Sequence, residues 1–267
     1  MALKRSAAVV AALLLVGRAT GFAREWVLSA RGGASGSTDL AIVLLTLPDL
    51  LVNLLLAGGL GATLVPVLQE LPVASRRQLA TQVAAMVGAA FALLALLLAL
   101  LAPRLLALLA PGVAEMQRLA AAGPLAVTAL ALPLTALAGV SAALLNASGR
   151  FALAACGTAV FNLLVIAALA TRLPLLWAMA GGVVAGALLR LLVQSLGAAV
   201  GLHALPRMGP WLVDAPLLRR FGGNFGFASA LVLLAPIARA WASVADPGAL
   251  SLFNYASKLV DLPMGVL

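Results

Sequence analysis

The chain has 267 residues, 64% of them hydrophobic and only 9% charged, with a mean hydropathy of +1.15; a soluble domain is charged at about a quarter of its positions, so that class is excluded. The net charge of +9 is scattered among apolar segments, without a dense basic patch or interleaved aromatics, which argues against nucleic acid as a partner. One cysteine, Cys156, and one histidine, His203, allow no internal disulfide and offer no metal-site or cysteine-hydrolase pattern.

A helical crossing takes about 20 apolar residues, so a chain of this length has room for roughly eight. The expected fold is all-α, a polytopic membrane helix bundle. The first segment, Ser6 to Ser29, follows Lys4 and Arg5 like a secretory signal, but Arg18 and Arg24 carry it past a signal core and the remaining chain is itself membrane-spanning. The second, Asp39 to Leu68, is interrupted by Pro48, Gly58-Gly59 and Pro66, which predicts a kinked helix. A polar stretch with Arg76 and Arg77 leads to the third, Leu79 to Leu101, ended by Pro103-Arg104; Pro111-Gly112 marks a turn. The fourth, Leu119 to Leu145, closes at Asn146-Ala-Ser148, a glycosylation sequon in form that reads as a cytoplasmic turn. Phe151 to Ala170 and Leu175 to Leu202 are the fifth and sixth. Pro206 to Arg220, holding Arg207, Asp214, Arg219 and Arg220, is the longest polar connection and the expected lobe boundary, followed by Phe221 to Ala245 and Gly248 to Leu267. The chain stops within an apolar run without flanking charges, which reads as the N-terminal part of a longer protein.

With the N-terminus in the cytoplasm, inner loops carry Lys4, Arg5, Arg76, Arg77, Arg150, Arg207, Arg219 and Arg220, and outer loops Arg31, Arg104, Arg118 and Arg172. That bias supports the N-in orientation.

Arg18, Arg24, Asp49, Arg190, Arg239 and Lys258 lie inside apolar segments, where a charge at mid-membrane costs about 2.5–3.5 kcal/mol. Counting about 1.5 Å per residue, Arg18, Asp49 and Lys258 converge near mid-depth, while Arg24 and Asp39 lie toward the outer face. Arg24 with Asp39, and Arg18 with Asp49, are the expected pairs. Arg24 and Arg239 are also placed to snorkel to headgroups, and Arg190 with Gln194 reads as a polar contact between helices. Arg18 and Lys258 are expected to face a hydrated cavity. Gly17-x-x-x-Gly21 and the glycines at 181, 182 and 186 permit close helix approach, and broken helices with polar groups at mid-depth are where transporters bind substrate. Fixed cations there suit an anion, above all a phosphate or pyrophosphate gripped by forked arginine, with soluble anions left open. No phosphate loop, nucleophile elbow or catalytic carboxylate pair is present, so neither enzyme nor cofactor is expected.

Gly21-Phe-Ala-Arg24-Glu25, Thr38-Asp39, Leu47-Pro48-Asp49-Leu50-Leu51, Val65-Pro66-Val67-Leu68, Leu145-Asn146 with Gly149-Arg150-Phe151, Asn162, and Tyr255-Ala-Ser-Lys258-Leu with Pro263-Met-Gly265 resemble, in order, the lipid II flippases of the MurJ/MviN type. The resemblance covers the whole chain. It implies residues 1–205 as a first six-helix lobe, 206–220 as a cytoplasmic connection and 221–267 as the first two helices of a second lobe. It also implies transport of an undecaprenyl-pyrophosphate-linked peptidoglycan precursor across the bacterial cytoplasmic membrane by alternating access. Arg18, Arg24, Asp39 and Lys258 match the family's cavity positions, and Asp49 stands where Asn is usual. Val52-Asn53 replaces a common Arg-Arg, which makes the cavity less positive. The implied partners are the lipid-linked glycan, membrane lipids, and a second lobe or another chain that supplies it. The alternatives are a flippase for another lipid-linked glycan, a cation-coupled antiporter of the same superfamily, and a non-transporting membrane scaffold.

Overall fold

In a computed structural model that describes residues 2–53, 60–198 and 210–264, every regular element among the described residues is an α-helix. In chain order these are α1 (Ala2–Gly32), α2 (Gly36–Asn53), α3 (Leu60–Glu70), α4 (Val73–Leu100), α5 (Ala102–Leu109), α6 (Glu115–Ala129), α7 (Ala131–Ala147), α8 (Phe151–Leu169), α9 (Leu175–Ala198), α10 (Ala215–Val232), α11 (Leu234–Ala242) and α12 (Ala249–Met264). Among the described residues four stretches are long and apolar enough to cross a membrane: Ser75–Leu100, Glu115–Ala147, Phe151–Leu169 and Leu175–Ala198.

Helix breaks follow proline chemistry. Proline lacks an N–H and is tolerated in the first turn, where the N–H would have no partner within the helix. Thus Pro103 opens α5, Pro133 follows two residues after the start of α7, Pro216 is second in α10, and Pro236 is third in α11. The fourth and seventh sequence segments are therefore each two helices, while Pro48 and Pro66 lie inside α2 and α3. Gly58-Gly59, His203 and Arg207 fall outside the described residues.

The helix after the sixth segment starts earlier than the sequence predicts, at Ala215 and not at Phe221. Asp214 Oδ1 accepts the Leu217 N–H at 2.9 Å, a side-chain N-cap that starts α10 at Ala215 and places Arg219 and Arg220 on that helix. Gln82 accepts the Leu212 N–H at 2.8 Å and donates to the Pro210 carbonyl at 3.1 Å, which holds the chain entering α10 against the start of α4.

Several arginines at helix junctions also close helix ends. Arg31 donates to the carbonyls of Leu169 and Leu173 at the end of α8, Arg76 to Leu71 at 2.7 Å and Gln69 at 3.0 Å after α3, and Arg150 to Gly197 at 2.5 Å near the end of α9. The Leu169 and Gln69 carbonyls lie in the last turns of α8 and α3, where no N–H of the helix reaches them, and the arginine places a cation at the negative end of each helix dipole.

In lipid there is little hydrophobic force between helices, so close backbone approach has to supply the attraction. At Gly182 a Cβ would lie 2.7 Å from the Ala168 Cβ, and at Gly186 2.8 Å from the Phe161 carbonyl oxygen, so α8 and α9 touch along a glycine stripe. Gly181, expected on the same contact, faces open space instead. The turn between α11 and α12 is wedged between two others. A Cβ on Gly112 would overlap the Ser243 carbonyl at 1.7 Å, and Gly248, at φ +94°, leaves only 2.5 Å to the Ala34 carbonyl carbon.

Gly186→Val is expected to lower stability by about 1–3 kcal/mol through overpacking, read as a drop in thermal unfolding temperature in detergent. Gly181→Ala should leave that temperature unchanged.

Candidate functional site

Arg24 lies on α1, 4% exposed. Its Nη1 donates to Asn162 Oδ1 of α8 at 2.8 Å, and its Nη2 to Glu25 Oε1 at 2.9 Å and Asp49 Oδ2 of α2 at 3.3 Å. Asn162 comes within reach because Gly17 and Gly21 present no side chain to α8; its Nδ2 donates to the Gly17 carbonyl at 3.2 Å, which orients Oδ1 toward the guanidinium. Glu25 carries the network onward, since its Oε2 accepts Asn254 Nδ2 of α12 at 3.0 Å. Four helices therefore meet on one buried cation. Snorkelling to the headgroups is ruled out for Arg24 by that burial.

The expected pairing of Arg24 with Asp39 is not formed; its acidic partners are Glu25 and Asp49. Asp39 is fully buried and works instead as a cap supplied from another helix. Its Oδ2 accepts the Gly248 N–H at 2.8 Å, and its Oδ1 accepts both the Ser251 N–H at 2.8 Å and the Ser251 hydroxyl. These N–H groups belong to the first turn of α12, where no carbonyl of the helix can reach them and the dipole favours an anion. Asp39 thereby clasps α2 to α12.

Arg18 does not pair with Asp49, whose carboxylate goes to Arg24. Arg18 is exposed and lies seven residues before Glu25, two turns down the same face of α1. Lys258 is half-buried and one turn beyond Asn254 on the α12 face that meets Glu25. Among the described residues neither has a hydrogen bond or ion pair; by helical spacing Arg18 and Lys258 continue the faces of α1 and α12 that the Glu25–Asn254 bond joins in a seam. Arg239 is half-buried and donates to Thr46 Oγ1 at 3.2 Å.

Sequence reasoning left Glu25, Asn162, Ser251 and Asn254 without roles. The signals were there in part: Glu25 adjoins Arg24, and Ser251, Asn254 and Lys258 recur at helical spacing. A polar group at each of those positions in an apolar helix costs free energy unless it has a partner.

Residues 30–267 match the family described as lipid II flippase MurJ. A lipid II flippase MurJ from Burkholderia cenocepacia is 29% identical over 291 aligned positions, covering 100% of this chain and 55% of its own length. A solved structure titled lipid II flippase MurJ, inward closed conformation, superposes with a TM-score of 0.78 at 18% identity, over 96% of this chain and 55% of that one. The chain thus spans about half the length of the relatives it matches, and it shares their fold.

Asp39→Ala should speed hydrogen–deuterium exchange at the Gly248 and Ser251 amides by about an order of magnitude, the effect of losing a cap of roughly 1–2 kcal/mol. Asp214→Ala, which removes a cap from α10, should leave those two amides unchanged.

Proposed function

The chain belongs to the lipid II flippase MurJ family, and from that premise we propose that it binds an undecaprenyl-pyrophosphate-linked glycan and takes part in moving it from the inner to the outer leaflet of the bacterial cytoplasmic membrane. What supports this reading is the α1–α12 seam joined by the Glu25–Asn254 bond, with Arg18 and Lys258 on the same helix faces by spacing and without partners among the described residues. Two unpaired cations at membrane depth are costly unless water or an anion answers them. A pyrophosphate supplies several acceptor oxygens, and a charge-assisted hydrogen bond is about twice as strong as a neutral one. Arg18 and Lys258 are the first contacts in this reading, and Arg24 grips once the headgroup reaches the buried end.

In this reading the chain crosses the membrane eight times with its N-terminus inside, residues 1–205 forming one lobe and the helices after the connection beginning a second. The Asp39 clasp and the wedged turn at residues 243–248 then close the outer side. Transport requires the clasp to open while the lipid tail stays in the bilayer, which is the rocking of one repeat against another around a fixed site. No bond of the substrate is made or broken.

Undecaprenyl pyrophosphate binding by the chain in nanodiscs tests the site. Arg18→Ala and Lys258→Ala should each weaken it by about tenfold, the loss of one charge-assisted bond of roughly 1.5 kcal/mol. Both should express and keep their helix content. Unchanged affinity in both would sink the seam as the site, and equal affinity for inorganic pyrophosphate would favour a soluble-anion carrier.

A further inference from the structure

A cavity of about 210 Å³ lies between α3, α4 and α10. Its α4 wall includes Val83, Val87 and Ala90, and its α10 wall Leu217, Leu218 and Phe221. Thr63 of α3 is the one polar side chain among the lining residues, and its hydroxyl accepts Asn224 Nδ2 of α10 at 2.9 Å. Apolar cavities of this size exclude water and take up apolar molecules. A phosphate or a sugar would give up its hydrogen bonds with water there and find few in return, whereas a hydrocarbon chain has none to lose.

The cavity continues into a trough. Leu94 and Leu97 follow Ala90 by four and seven residues on the same face of α4, and they are 38% and 46% exposed. Little of this span is buried within the bundle, so the face borders the bilayer. From Val83 to Leu97 it runs about 21 Å at 1.5 Å per residue, enough for the roughly 15 Å of one leaflet, half of the hydrocarbon core. Cations gather where α4 and α10 begin, side by side because Gln82 holds the Leu212 N–H. Arg77, Arg219 and Arg220 are exposed, and Arg220 is one turn from Leu217. Among the described residues their side chains make no hydrogen bond or ion pair. The acids of the segments 69–77 and 210–224 are Glu70 and Asp214, and Asp214 is engaged by the Leu217 N–H.

We propose that the cavity and trough bind one acyl chain of an anionic phospholipid, whose phosphate meets the arginines at the start of α4 and α10. Length and charge together assign the occupant: the trough covers one leaflet and ends in positive charge, which is the form of a phospholipid, whereas a polyprenyl tail runs far beyond one leaflet. The bound chain touches α3, α4 and α10 at once and fastens α10 to the other two. None of these residues belongs to α1 or α12, so the site stands or falls independently of the pyrophosphate seam.

Native mass spectrometry of the chain in detergent tests the site, with phosphatidylglycerol and phosphatidylcholine of the same acyl chains as probes. One phosphatidylglycerol should be retained, preferred at least about fivefold over phosphatidylcholine, the effect of a single basic side chain at a membrane surface. Ala90→Trp, which fills the cavity, should lose that lipid while its unfolding temperature in lipid-free detergent holds or rises. Joint Arg219→Gln and Arg220→Gln substitution should keep a lipid but bind the two headgroups alike. Equal retention by the unaltered chain and a folded Ala90→Trp overturns the site. Equal affinity for both headgroups in the unaltered chain overturns the anionic assignment. Displacement of the phosphatidylglycerol by an equal concentration of undecaprenyl phosphate gives the cavity to a polyprenyl tail and overturns the phospholipid. If Ala90→Trp does not fold, phosphatidylglycerol carrying a photoreactive group in mid-chain answers on the unaltered chain: crosslinks are expected on α3, α4 and α10, and crosslinks confined to other helices overturn the proposal. Arg18→Ala and Lys258→Ala should retain the lipid; its loss from both would place it in the seam and overturn this site.

Discussion

A guanidinium buried in an apolar bundle must be answered by its neighbours, and the arrangement around Arg24 follows from that requirement. Its hydrogen bonds draw in Asn162 from α8 and Asp49 from α2, and through Glu25 they reach Asn254 on α12. Each link imposes a condition on packing. Asn162 can approach only because α1 carries glycine at 17 and 21, and α12 must turn Asn254 toward α1, which brings Ser251 and Lys258 onto the same face. The cost of one unpaired charge thus sets the rotation of several helices.

The attachment of α12 is asymmetric. Near its N-terminus it is held by Asp39 through two backbone N–H groups and a hydroxyl, and one turn lower by the Glu25–Asn254 bond. Beyond Asn254, Lys258 continues the same face of α12.

Backbone economy explains the breaks in the helices. Each proline in the first turn of α5, α7, α10 and α11 removes an N–H that would have had no partner there, so the bundle bends without leaving a donor exposed to hydrocarbon. Arginines 31 and 76 close the C-terminal ends of α8 and α3 by taking the Leu169 and Gln69 carbonyls of their last turns. Residues that serve as topology signals in the sequence thus also terminate helices in the fold.

Composition and periodicity were enough to determine a helical membrane bundle, the positions of its apolar segments, and the set of charges too deep to be incidental. These are local properties, because each helix satisfies its own backbone. Which charges meet was decided only by tertiary packing. Arg24 lies about 12 Å below the end of α1, while Asp39 and Asp49 lie about 5 and 20 Å into α2. A long arginine side chain placed between those depths can turn either way. Ten residues along α2 also rotate Asp49 by about 80° away from the face of Asp39. The rotation of α2 therefore gave Asp49 to Arg24 and Asp39 to α12. Rotation is set by side-chain packing against α6, α7 and α9, contacts distant in sequence whose pattern no single segment carries.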